Sequence, residues 1–248
     1  MYKGRTFYRE QIYVCGDYID ADVYPVFQKP GIRRKKSNPS TEIQARKNRR
    51  NSEKKITRIA NLNFTPADIV IHLTYDDAPD DTQRALKNLR NFFDRVKRLR
   101  NKQALDPLKY LASTEVSAAG RIHHHVIMSG GIDRDVLEQM WGFGYANTKR
   151  LQFGEHGIEN LAEYIAKGKL CYKRWSASRN LIKPEPIEND SVTAGEMREL
   201  VEAIAESRHH EYFRARFPGW VVVRAEHNKN AINFEHYVTY ELRRIKKN

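Results

Sequence analysis

The 248-residue sequence predicts an α+β fold in which helices pack on an antiparallel sheet. Three observations carry that expectation. Residues 67–168 read as strand, helix, strand, strand, helix, strand, helix, and the first six elements in that order build a ferredoxin-like, split β-α-β core. A short glycine turn in "VSAAGRI" joins the second and third strands, which makes them an antiparallel hairpin. The helix before that hairpin has a full apolar stripe, which needs a sheet to cover it.

The elements follow in order. "TFYREQIYVCGDYIDADVYPVF" alternates loosely and reads as one or two strands broken near Gly16-Asp17. Pro30-Gly31 and Asn38-Pro39 then interrupt the chain, and from about Ser40 the pattern turns helical through "TEIQARKNRRNSEKKITRIANL". "ADIVIHLTYDD" (67–77) is rich in β-branched and aromatic residues, as a buried strand is. Asp81 can cap the helix over 82–100, where Ala85, Leu89, Phe92, Phe93, Val96 and Leu99 recur at three-and-four spacing. "DPLKYLASTEVSAAGRIHHHVIMSGG" supplies the hairpin. Asp133 opens a short helix to about Trp141, "GYANTKRLQ" is a further strand, and "GIENLAEYIAKG" is a helix stopped by Gly168. "KLCYKRWSASRNLIKPEP" reads as a loop, 192–208 as a polar helix, and "GWVVVRAEHNKNAINFEHYVTYELRRIKKN" as a strand followed by a helix. The expected division is 1–60 (strands and a basic segment), 61–185 (the core) and 186–248 (a helical or mixed extension).

Composition narrows the class of function. Lys and Arg total 44 against 31 Asp and Glu, a formal charge of +13. Residues 29–58 hold twelve basic and two acidic residues, so most of the excess sits in one short stretch. A polyanion is the economical partner, and nucleic acid is favoured over a membrane surface because no apolar face accompanies the charge. The bland alternative is a solvated basic linker. No apolar run approaches the ~18 residues of a membrane helix, and "MYKGRTFYRE" lacks the apolar core of a secretory signal. Cys15 and Cys171 are far apart and stand outside any CxxC pattern, which argues against a disulfide framework. The expectation is a soluble, cytoplasmic protein with no membrane partner.

"GRIHHHVIMSGG" (120–131) places three histidines at the start of an apolar strand. Strand side chains alternate, so His123 and His125 share a face and His124 points to the other. If Ala118-Ala119-Gly120 is a three-residue loop with glycine in its left-handed position, Ser117 pairs with Arg121, Glu115 with His123 and Ser113 with His125. Cross-strand partners stand about 5 Å apart on one face, so a carboxylate lands beside two imidazoles. A one-residue slip would turn Glu115 to the other side. A Glu/His/His trio with open positions suits a divalent ion, Mn²⁺ or Mg²⁺, that can act as a Lewis acid on a phosphoryl oxygen. The alternative is three polar residues on a partly exposed sheet face.

The helix over 157–168 offers a nucleophile. Ile158, Leu161, Ala162 and Ile165 form its apolar stripe, Tyr164 flanks that stripe by about 100°, and Lys167 falls on the same side three residues later. A phenol with a pKa near 10 attacks at neutral pH only if a cation activates it or its target is strongly polarised. Read blandly, both residues are amphipathic edge positions.

Taken together, "GRIHHHVIM", "MWGFGYANTKRL" and "AEYIAKG" resemble the HUH endonucleases, in particular the rolling-circle replication initiators (Rep proteins) of phages, plasmids and integrated elements. The His-hydrophobic-His motif of that family falls on His123 and His125, and its YxxK motif on Tyr164 and Lys167. "IVIHLTYDD" is similar to its first motif, and "SASRNLIKP" to the segment after its tyrosine helix; the similarity spans roughly residues 40–185. The chain departs from the pattern at His124, where the motif has an apolar residue, and at His72, where threonine is usual.

The resemblance implies a mechanism. Glu115, His123 and His125 would hold the metal ion. Tyr164 would attack a phosphate in single-stranded DNA or an extruded origin hairpin, forming a 5′-phosphotyrosine and freeing a 3′-hydroxyl for a polymerase. Reversal would rejoin the strand. Host helicase and polymerase are the implied protein partners. Tyr172 lies beyond the Gly168 stop, which argues for a single nucleophile, and Glu163 and Glu159 are candidate proton acceptors. Arg46, Lys47, Arg49 and Arg50 would then grip the phosphate backbone, and Lys173, Arg174, Trp175 and Arg179 would combine cations with a ring for base stacking. The same chemistry could serve a transposase or a relaxase. A metal-independent binding module on the same sheet is the reading from another class; it would place stacking aromatics where histidine and glutamate stand.

Overall fold

The computed structural model describes residues 5–27, 42–79, 81–117, 120–154, 158, 175–230 and 234–245. In chain order the elements are β1 (Arg5–Cys15), β2 (Tyr18–Phe27), α1 (Glu42–Asn63), β3 (Ile69–Thr74), α2 (Thr82–Lys102), β4 (Tyr110–Val116) and β5 (Ile122–Met128). They continue with α3 (Arg134–Trp141), β6 (Ala146–Arg150), β7 (Ser176–Ala177), β8 (Ile187–Val192), α4 (Ala194–Ala205), α5 (His209–Arg216), β9 (Trp220–Lys229) and β10 (His236–Arg244). The fold is α+β, with two antiparallel five-stranded sheets and helices packed on them. Two compact units result, residues 43–183 and residues 1–42 with 184–248.

The central unit carries a sheet ordered β6-β3-β5-β4-β7. Its first four strands are the ferredoxin-like order, with β5 antiparallel between β3 and β4. One face is covered by α2 and α3: Leu89, Phe92, Phe93 and Val96 of α2 and Leu137 and Trp141 of α3 pack on Ile69, Ile71, Leu73, Val126 and Met128. Helix α2 begins where the sequence signals it, with the Asp81 carboxylate accepting from the Arg84 N–H at 2.8 Å. Arg95 donates to the Met140 and Trp141 carbonyls and ties the end of α3 to α2.

The second face is where the fold departs from a sheet with helices on one side only. The C-terminal half of α1 lies on it, with Ile56, Ile59, Ala60 and Phe64 packed on Leu111 and Ile127. Odd-numbered β4 and β5 positions share that face with Glu115, His123 and His125, so α1 closes its apolar level and leaves the polar levels uncovered by α1.

The other unit sheets residues from both ends of the chain in the order β8-β1-β2-β10-β9. Hairpin β1–β2 turns at Gly16-Asp17, with Cys15 opposite Tyr18 and Gly16 at φ +64°. Tyr8, Ile19, Val23, Val238, Tyr240 and Leu242 form its core with Met197, Leu200 and Phe213 of the helices. The C-terminal stretch read as strand then helix is two strands instead. Val238, Tyr240 and Leu242 are buried at period two and pair with β2, so sheet pairing overrides the helical reading of this polar segment. The expected breaks near 60 and 185 also differ from the observed division at 42/43 and 183/184, because β10 binds β2 and α1 belongs with the central sheet. The "KLCYKRWSASRNLIKPEP" stretch, read as a loop, contributes β7, which pairs with β4 through Leu111–Ala177 and Ala112–Ser176. Among the described residues no helix is long and apolar enough to cross a membrane.

Candidate metal and nucleic-acid site

The hairpin that builds the site has the register its glycine dictates. Gly120 sits at φ +76°, its N–H donates to the Ser117 carbonyl at 2.9 Å, and Ser117 N–H donates to the Arg121 carbonyl at 2.8 Å. Glu115 therefore faces His123, and Ser113 faces His125. The Glu115 Oε2 atom lies 3.5 Å from His123 Nε2 and 3.7 Å from His125 Nε2. His123 Nδ1 approaches the Arg121 carbonyl at 3.4 Å, which leaves Nε2 toward the glutamate.

His124 is held on the other side of the strand. It is fully buried, with Nδ1 2.8 Å from Thr114 Oγ1 and Nε2 2.9 Å from the Tyr75 hydroxyl. Burial, with three neighbouring histidines, pushes its pKa down to about 3, so the ring is neutral, and one nitrogen donates while the other accepts. A one-residue slip of β5 would break both contacts and drive His123 or His125 into the aromatic core around Trp141. The central histidine thus locks the register instead of loosening it.

His72 is the residue that sequence reasoning left without a role. It pairs with His125 across β3 and β5, so both side chains stand on the same face. The two rings stack at 4.4 Å with a 7° interplanar angle, and His72 meets His123 edge-on at 5.2 Å. One ring nitrogen from each of His72, His123 and His125 lies within 4.8 Å of the others, so the three could hold a metal ion. The signal was present in the alternation of "IVIHLT", but using it requires the β3–β5 register, which no local turn sets. Gly144 is part of what fixes the neighbouring strand: a Cβ there would lie 2.5 Å from Asp76 N, so only glycine lets the chain pass the end of β3 into β6. Asn147 of β6 then stands opposite His72, and its amide donates to the Tyr145 hydroxyl at 3.0 Å.

A cation fits this chemistry. Burial and the flanking His72 and His123 hold the His125 imidazole at about 3, and burial and His123 lower His72, so neither ring has a proton to displace at neutral pH. Glu115 Oε1 and Ser113 Oγ are buried without a hydrogen-bond partner, and both lie beside the histidines. A withdrawn carboxylate oxygen with no donor is costly unless a positive charge meets it.

Residues 68–169 match the family model for the replication-associated protein of the ORF2 type. The match covers under half of the chain, and His72, Glu115, His123 and His125 all fall inside it. It supports a Rep-type replication initiator, and it is compatible with a nicking enzyme. No curated protein and no solved structure gives a match.

The other sequence-derived residues divide. Tyr164, Lys167, Lys173 and Arg174 lie outside the described residues, as do Glu159, Glu163 and Tyr172. Ile158, from the apolar stripe expected of the tyrosine helix, is buried in the cluster that contains α1. Arg46, Lys47, Arg49 and Arg50 are exposed on the N-terminal half of α1, where Arg49 pairs with Glu53 at 3.6 Å. Trp175 is half-buried against that helix: its indole N–H donates to Ser52 Oγ at 3.1 Å, and Lys55 stands 5.9 Å from its ring. Arg179 is exposed beside a groove of about 500 Å³ shared with Lys97, Asn101 and Tyr110.

Proposed function

We propose that this chain nicks and rejoins one strand of DNA to start rolling-circle replication, through a 5′-phosphotyrosine on Tyr164. The observation that carries the reading is the Glu115–His123–His125 cluster, which lies within the stretch that matches the replication-associated family. A divalent ion, Mn²⁺ or Mg²⁺, held by those side chains would supply positive charge against a non-bridging phosphate oxygen.

The chain's own groups account for the rest. Neutral His125 and His72 leave Glu115 as the one fixed negative charge in the cluster, so the site can accept an ion and still receive a phosphate diester. Ser113 Oγ, beside His125, has capacity to donate to a bound oxygen. The Tyr164 oxygen forms a bond to phosphorus as the P–O3′ bond breaks. The phenolic proton passes to a base such as Glu163 or Glu159, and the leaving 3′-oxygen takes up a proton. Lys167 shares the charge of the phosphoryl group. Attack of a free 3′-hydroxyl on the phosphotyrosine reverses the sequence and conserves the bond energy, so joining needs no nucleotide cofactor. Arg46, Lys47, Arg49 and Arg50 track the backbone of the single strand or extruded hairpin, and a host helicase and polymerase take over at the 3′ end.

The test is incubation with labelled single-stranded DNA from an origin-region library and Mn²⁺, scored for protein–DNA bands that survive boiling in detergent. Wild type should form an adduct, and Tyr164→Phe and His125→Ala should not. An adduct that persists in Tyr164→Phe removes the nucleophile from the mechanism. DNA binding without an adduct under any divalent ion moves the reading to a non-catalytic binding module.

A further inference from the structure

We propose that His72 is a third imidazole donor to the ion, and that it makes the site select a transition-metal ion such as Mn²⁺, Co²⁺ or Zn²⁺ over Mg²⁺. The inference rests on the cation site of the proposed function and is independent of the tyrosine chemistry.

The sheet itself aims His72 at the site. Six consecutive pairs, Ile69–Met128 through Thr74–His123, fix β3 against β5. His72 cannot leave the histidine face without breaking that ladder, because a slip of one residue would send Ile71 and Leu73, both fully buried, out of the core. Its ring is stacked on His125 and edge-on to His123, and its donor nitrogen falls within the same 4.8 Å spread as theirs. On the far side of His72, β6 presents the neutral amide of Asn147, and on the far side of His123, β3 presents Thr74. Neither neighbour adds a carboxylate.

The donor set is then three neutral nitrogens and one carboxylate. Imidazole binds borderline ions such as Zn²⁺, Co²⁺ and Ni²⁺ well, whereas Mg²⁺ demands oxygen ligands in near-octahedral geometry and keeps its waters. With Glu115 as the single anionic donor, a hard ion gains little here. Replacing an oxygen-donor residue type by histidine on β3 moves the site toward nitrogen-preferring ions while the hairpin donors stay the same. Stacking alone does not account for the arrangement, since His72 directs a donor nitrogen to the same small volume as the two hairpin histidines.

The experiment is calorimetric titration of the full chain, without DNA, with Mg²⁺, Mn²⁺ and Co²⁺, together with the visible absorption spectrum of the Co²⁺ form. Wild type should bind Co²⁺ and Mn²⁺ more than about tenfold tighter than Mg²⁺. His72→Thr, a residue suited to a strand, and His72→Gln as a second variant should lose about tenfold or more in Co²⁺ affinity, with Mg²⁺ affinity held within about twofold. The Co²⁺ bands should shift as a nitrogen ligand is lost. Circular dichroism of the metal-free variants checks that the sheet is intact. Equal Co²⁺ affinity and an unchanged spectrum in both variants would overturn the role of His72 and leave the cation site standing. Wild type that binds none of the three ions would overturn the cation site itself. Both outcomes are read without the DNA-adduct assay, so a failure of the tyrosine chemistry stays separate from a failure of the ion site.

Discussion

Each of the two sheets withdraws a carboxylate from water, and they treat it in opposite ways. In the sheet that joins the chain ends, Glu10 is 1% exposed and fully engaged: Arg216 donates to Oε2, and the Tyr240 hydroxyl donates to Oε1 at 2.7 Å. In the central sheet the Glu115 side chain is 18% exposed, one oxygen has no hydrogen-bond partner, and the other faces two histidine nitrogens. A saturated carboxylate contributes to one fold and offers nothing further. An unsaturated one, set among neutral nitrogen donors, keeps its capacity for something that arrives from solution. The difference separates a structural charge from a functional one without reference to any motif.

Three substitutions sharpen that contrast, from the largest expected change in stability to the smallest. Arg216→Ala leaves Glu10 buried without its cation and should cost about 3 to 4 kcal/mol in urea denaturation, toward the lower end of the range because the Arg216 side chain is a third exposed. His124→Ala empties a fully buried position and strands the Thr114 and Tyr75 hydroxyls, for a loss of about 2 to 3 kcal/mol. Glu115→Ala should change the metal-free stability by less than about 0.5 kcal/mol, since it removes an unmet group rather than a met one. Its signature appears on adding metal: Mn²⁺ at a hundred times its dissociation constant should stabilise wild type by about 2.7 kcal/mol and leave this variant nearly unmoved. A loss for Glu115→Ala as large as that for Arg216→Ala would place Glu115 among the structural charges and break the comparison.

What could be read in the sequence was whatever a local rule fixes. Gly120 sets the hairpin, and the hairpin sets Glu115, His123 and His125, so the core of the site follows from a short run of neighbouring residues. Helix α2 announces itself through Asp81 and its apolar stripe. His72 escaped because its place depends on a pairing between strands far apart in the chain, with no turn between them to count from. The sheet formed by the two chain ends escaped for the same reason on a larger scale: β2 and β10 meet across most of the chain, and the alternation of "HYVTYELRR" is legible as a strand only once a partner is known. Helix α1 looked like a basic segment because its N-terminal half dominates the charge, while the four apolar residues that seat it on the sheet are spread through its last turns and beyond.

The two halves of α1 also make it a phased spacer. Ile56, Ile59 and Ala60 clamp one end to the face that carries the histidines, and Arg50 follows about 9 Å up the same rigid rod, with Arg46 about 6 Å farther. Each residue of helix adds about 1.5 Å of rise and about 100° of azimuth. Deleting one residue between Arg50 and Ile56 would barely shorten the rod, but it would swing the guanidinium stripe more than a quarter turn around it. Removing about three or four would bring the stripe back into line one helical turn closer to the clamp. Any nucleic acid that reads this stripe is therefore held to an angle as well as a reach, and the angle is the less forgiving of the two.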